Sequence, residues 1–126
     1  LKKLSKWTEK RRSNARYLSQ ALEGVLLPPL SPKVDHVYHQ FTIRLEDRRD
    51  LIATGLREEF GVGAETYYPI PSHQLPALQG FPTAGDMQHT LLASRTALSI
   101  PIHPKLRRRD LEKIGRAVNY LVRQEK

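Results

Sequence analysis

Apolar and polar positions along the chain follow two periods in turn. Leu4, Trp7, Arg11, Ala15, Leu18, Ala21, Leu22 and Val25 recur at helical spacing, with Lys3, Lys10, Arg12 and Arg16 mostly opposite. That predicts an amphipathic helix over residues 3–23, closed by Gly24. Leu26–Pro32 is a proline-rich connector that cannot continue a helix. Beyond it Val37, His39, Phe41, Ile43 and Leu45 alternate with Tyr38, Gln40, Thr42 and Arg44, the period of a strand over 36–45. Asp47 with Asp50 three residues on has the spacing of a cap, Leu51, Ile52, Leu56 and Phe60 share a face, and Gly61 terminates, so residues 48–60 are expected to be helical. A short strand follows over 62–67, and a Pro- and Gly-rich loop over 69–86. Residues 88–94 read as a short helix and Ala97–Pro101 as a buried strand. Leu106, Leu111, Ile114, Val118, Leu121 and Val122 mark a closing helix.

Helices interleaved with strands predict an α/β or α+β two-layer sandwich, with helices packed on a sheet of about three strands. The 126 residues fit one domain. Leu1 opens in the middle of a helical pattern with no initiating Met, so the chain is expected to be a piece of a longer protein. The absence of cysteine removes disulfides, thiolate catalysis and cysteine-ligated zinc together. No run of 18 apolar residues spans a bilayer and no apolar signal core opens the chain, so a cytoplasmic location is expected.

Charge is uneven. The net +8 comes from residues 1–16, with seven Lys/Arg against Glu9, and residues 105–116, with six against Asp110 and Glu112; residues 17–104 carry six against nine acids. Two readings follow: a polyanion-binding face, or the solvated sides of two helices. Arg107, Arg108 and Arg109 stand where a helix begins and its macrodipole disfavours cations, which calls for solvent or an anion beside them.

No GxGxxG, Walker-type loop, HExxH or serine elbow is present, which leaves the histidines. His36 and His39 at i, i+3 on a strand point to opposite faces and make a poor metal pair. His103 reads as a turn residue and His89 as surface. His73 differs because it shares a proline-stiffened loop with Tyr67 and Tyr68. Three hydrogen-bonding rings there can orient a polar ligand such as a phosphate or sugar, or they can pack the loop onto the sheet. Both readings stand on the residues alone.

Four motifs in order carry a resemblance: residues 12–17 (Arg-Ser-Asn-Ala-Arg-Tyr), 36–44 (His-Val-Tyr-His-Gln-Phe-Thr-Ile-Arg), 67–73 (Tyr-Tyr-Pro-Ile-Pro-Ser-His) and 98–106 (Leu-Ser-Ile-Pro-Ile-His-Pro-Lys-Leu). Together they resemble the C-terminal small domain of the DegT/DnrJ/StrS sugar aminotransferases over nearly the whole chain. The chain departs from the family pattern in having Gln88 and Leu91 after Met87, and Arg107 in place of a capping Thr or Ser. The resemblance implies the small domain of the aspartate-aminotransferase fold (fold type I) in a dimeric enzyme that uses pyridoxal 5'-phosphate. Such an enzyme moves an amino group, commonly from glutamate, onto a keto-sugar attached to a nucleotide. A dehydratase of the same family, in which histidine replaces the catalytic lysine, is implied as the alternative. The resemblance implies that the Schiff-base lysine lies in the large domain, and none of Lys2, Lys3, Lys6, Lys10, Lys33, Lys105, Lys113 or Lys126 lies in a matching motif. It implies no catalytic residue here, and the residues themselves offer no metal ligand. Tyr67, Tyr68 and His73 would face the substrate.

Overall fold

The computed structural model describes residues 2–29, 33–46 and 48–124. In chain order these form α1 (Leu4–Ala21), β1 (Phe41–Arg44), α2 (Arg49–Glu58), two 3-10 turns (Ser72–Gln74 and Pro76–Leu78), α3 (Gln88–Thr96), β2 (Ala97–Ile100) and α4 (Arg108–Arg123). β1 and β2 pair antiparallel in the register Phe41↔Ile100, Thr42↔Ser99, Ile43↔Leu98, Arg44↔Ala97. Isolated bridges extend this ladder on both sides, Leu26 to Arg44 and Glu65 to Ser99.

Alternation gives the ladder two unlike faces. Phe41, Ile43, Leu98 and Ile100 are buried and meet Leu18 of α1, Ile52 and Leu56 of α2, and Leu111, Ile114 and Val118 of α4 in one core. Burying each such side chain contributes about 1.5–3 kcal/mol relative to leaving it in water. α4 packs against both α1 and α2, and so closes the helical layer.

Two asparagines tie this layer together over long sequence distances. Asn14 of α1, almost wholly buried, donates its amide to the His103 carbonyl at 3.2 Å. Asn119 of α4 accepts the Glu23 N–H at 3.0 Å and donates to the Ala21 carbonyl at 2.8 Å, so a side chain from α4 satisfies the open end of α1. Gly24, just beyond, has φ +69°, and a Cβ there would stand 2.7 Å from Val122 Cγ1, so only glycine suits the turn.

Several expectations are corrected. The first apolar stripe is buried only from Asn14 onward; Leu4 and Trp7 remain about half exposed. The 36–45 strand shortens to Phe41–Arg44. Its partner β2 is bounded by α3 on one side and by Pro101, which has no N–H, on the other. Tyr38 also turns to φ +47°, its N–H donating to His36 Nδ1 at 2.8 Å. The 62–67 strand reduces to the single Glu65–Ser99 bridge, because Pro101 occupies the next bonding position of β2. Among the described residues the sheet therefore has two strands rather than three. In α2, Leu51 faces solvent while Ile52 and Leu56 are buried. The Asp47 half of the expected cap lies outside the described residues, as does the connector at residues 30–32.

Arg107 stands just ahead of α4 as its N-cap, and Asp110 completes the cap, its carboxylate accepting the Arg107 N–H at 2.9 Å. That bond, chiefly, holds the Asp110 carboxyl below its usual range, with the nearby Arg107 and Arg109 cations assisting.

Candidate functional site

The ladder face turned away from the helices is polar. Thr42 and Ser99, opposite each other, share a hydrogen bond of 2.8 Å between their hydroxyls. Gln40 precedes on the same face, and Glu65 joins through its bridge to Ser99. Above this floor lies a cleft of about 500 Å³. One wall is the segment from Glu65 to Ser72, with Tyr67 and Tyr68 at its lip; the other is α3, through His89, Thr90, Ala93 and Ser94.

The lip is shaped by its prolines. Pro71 holds φ −61° and ψ 146°, and Pro69 restricts Tyr68 before it, so the segment runs extended along the cleft. Tyr67 is 55% exposed and Tyr68 80% exposed, so about half of the first and most of the second stand clear of the rest of the chain. Their hydroxyls are free to meet a ligand. His73 sits in the 3-10 turn Ser72–Gln74, partly buried and one residue beyond the lining, so the structure brings Tyr67 and Tyr68 to the cleft and leaves His73 at its border.

The α3 wall is held from behind. Arg49 of α2, 8% exposed, donates Nη1 to the Ser94 carbonyl and pairs with Asp50 at 2.8 Å. Arg44 Nε reaches the Thr96 hydroxyl at 3.3 Å, that hydroxyl donates to the Leu92 carbonyl at 2.8 Å, and the Leu45 N–H donates to the Thr96 carbonyl at 2.9 Å. A guanidinium this buried needs such acceptors, and they fix where α3 stands.

The lining offers hydroxyls, amide groups, one imidazole and one carboxylate, with neither lysine nor arginine. This set suits an uncharged, hydroxylated ligand rather than a phosphate. The expectation that His89 is plain surface is corrected, since it lines the cleft. Residues 89–90 and 93–94 recur one helical turn apart, a signal available in the sequence.

The His36 ring and the His103 backbone take structural places. His36 stacks on Tyr38 with ring centroids 4.2 Å apart, and the His103 carbonyl accepts both Asn14 and the Leu106 N–H. Among the described residues no group of three His, Asp or Glu could hold a metal ion, and no helix is long and apolar enough to cross a membrane. Many cations of the two basic segments are paired: Arg12 with Asp35 at 2.6 Å, Arg16 with Glu9 at 3.2 Å, and Arg108 with Glu112 at 3.0 Å. Arg108 also lies over the Tyr17 ring at 4.0 Å, and Arg107 and Arg109 share Asp110, so ion pairs answer the charge at the start of α4.

Comparison with known proteins agrees with this architecture. The chain is 38% identical over 109 residues to a dTDP-3-amino-3,4,6-trideoxy-alpha-D-glucose transaminase of Streptomyces venezuelae, covering 83% of this chain and 28% of that protein. It is 34% identical over 119 residues to the 3-oxo-glucose-6-phosphate:glutamate aminotransferase of Bacillus subtilis, covering 87% and 26%. The crystal structure of NtdA from Bacillus subtilis with bound cofactor PMP superposes with a TM-score of 0.82 at 30% identity, covering 95% of this chain and 29% of that one. The chain thus spans between a quarter and a third of the length of these relatives. Its fold is that of part of a fold type I pyridoxal-phosphate aminotransferase. With residues 1–119 matching the family as a whole, the chain belongs to the DegT/DnrJ/EryC1/StrS aminotransferase family.

Proposed function

We propose that this chain is the small, substrate-facing domain of a pyridoxal-phosphate aminotransferase that moves an amino group from glutamate to a keto-sugar carried on a nucleotide. The observation that carries the reading is the cleft itself: a polar floor, two exposed tyrosine hydroxyls at the lip, and no cation in the lining. A sugar ring presents several hydroxyls and no charge, and this wall can meet them from three sides. The names of the transaminase and the glutamate aminotransferase above support the donor and acceptor classes.

The cleft fits the cofactor only in part. Pyridoxal phosphate needs an amine for its aldehyde and donors for its phosphate, and the lining supplies neither lysine nor arginine. We infer that those groups, the catalytic lysine among them, belong to residues outside this chain and that the chain by itself is inactive. When bound, the cofactor supplies the electron sink for amino transfer. The residues here bind and orient: Tyr67 and Tyr68 hold sugar hydroxyls, Thr42 and Ser99 the ring's underside, and His73 borders the same lip. Closing this wall over the sugar also excludes water. The protein works as a homodimer in the cytoplasm.

The test is made on the whole protein. It should show the cofactor's visible absorption band and transfer an amino group from glutamate to a nucleotide keto-sugar. If the band and the transfer are both absent, the reading is wrong; a band with loss of water instead of amino transfer would favour the dehydratase.

A further inference from the structure

Beside the cleft, and sharing Gln40, Glu65, Tyr67 and Ser99 with it, lies a second cavity of about 240 Å³. Arg11 of α1, His39 ahead of β1 and His103 after β2 complete its charged and titratable lining. Arg11 is partly buried, and its Nε is shielded from solvent with no hydrogen-bond acceptor. Such an orphaned donor is uncommon in a folded protein, and the guanidinium that carries it has no ion-pair partner among the described residues. No carboxylate of the described residues supplies one: Glu9 is taken up by Arg12 and Arg16, and Glu65 makes no ion pair with Arg11. The cavity is also held in shape, because Asn14, one turn beyond Arg11, fixes the His103 backbone to α1. The Asn14 Oδ1 is likewise without a donor but is not part of the lining.

The geometry points to a site for a small anionic group, a carboxylate or a phosphate ester, held by Arg11 with His39 and His103 beside the sugar cleft. A planar guanidinium donates to either group, and imidazole rings donate as well. Tyr67 and Ser99 border both cavities, so one ligand can lie with a hydroxylated ring in the cleft and its charge on Arg11. Glu65 on the dividing row repels a second negative group there, which limits the anion to the Arg11 side. The proposed function enters only in naming two sources for the anion, a phosphate on the sugar substrate or a carboxylate of the amino donor.

The experiment follows the ring signals of ¹³C-labelled His39 and His103 by NMR in the whole protein. Inorganic phosphate and acetate are added in separate titrations. Saturable shifts of both rings are expected; response to phosphate alone identifies a phosphate ester, and response to acetate alone a carboxylate. Arg11→Gln should weaken binding about ten- to a hundredfold, as loss of a charge-assisted hydrogen bond does, and Arg11→Lys should restore part of it. If neither anion gives a saturable shift, or Arg11→Gln binds as the wild type does, the inference is overturned. Should Arg11→Gln fail to fold, the exposed pair His39→Asn/His103→Asn replaces it, with phosphate and acetate affinity read by calorimetry; unchanged affinity then overturns the site. Amino transfer is assayed on the same preparation. Transfer without ring shifts defeats this site alone, and ring shifts without transfer defeat the proposed function alone.

Discussion

Phe41 and Thr42 are neighbours on one strand, as Leu98 and Ser99 are on the other, yet they meet different surroundings. On the helix side Phe41, Ile43 and Leu98 are fully shielded from water within one apolar core. On the cleft side Thr42 and Ser99 answer each other with one hydrogen bond and line the floor of the cleft. The first face determines whether the chain folds; the second determines what it can hold. Substitutions on the two should therefore separate stability from ligand use.

The largest effect is expected on the helix side. Phe41→Ala empties a fully buried site and should destabilise by about 3–5 kcal/mol, read by denaturant unfolding of the whole protein. A loss under about 1 kcal/mol would mean that the core closes without this ring. Gly24→Ala, which forces a side chain into positive φ and onto Val122, should cost about 1–3 kcal/mol in the same measurement.

Tyr68→Phe lies at the other extreme of exposure. Its stability should stay within about 0.5 kcal/mol of wild type. In the whole enzyme, KM for the sugar substrate should rise about five- to tenfold, the cost of one hydrogen bond, with the cofactor band intact. An unchanged KM would mark the lip as scaffold and erase the contrast between the faces.

The smallest effect concerns neither face. The Asp110 carboxyl is held low mainly by the Arg107 N–H, so the unfolded chain binds its proton at higher pH than the folded one does. Its contribution is present above the unfolded pKa and is lost as pH falls through the folded one. Asp110→Asn should flatten that acid limb of a melting-temperature profile and lower the neutral plateau slightly.

Much of the helix side was legible in the sequence because burial imposes a period. α4 shows its stripe through Leu111, Ile114 and Val118, and the buried strand read over Ala97–Pro101 forms over Ala97–Ile100. What escaped has physical reasons. Asn14 and Asn119 occupy positions where a polar residue looks misplaced, and their partners, His103, Ala21 and Glu23, lie 89 to 98 residues away. Strand lengths depended on Pro101, whose effect falls on its neighbours across the ladder. Of the cleft, Tyr67 and Tyr68 stood out by chemistry and stiffness. Thr42, Ser99 and His89 did not, because only the pairing of β1 with β2 and the return of α3 bring them together.

The clasp of Asn119 on the end of α1 also bears on the order in which the chain can acquire structure. During synthesis the first helix emerges before the groups that finish its last turn, which arrive nearly a hundred residues later. Until then that turn frays into water, and the contact between the two ends must form over a long loop. Completion of the first helix is thus a late event, coupled to docking of the last.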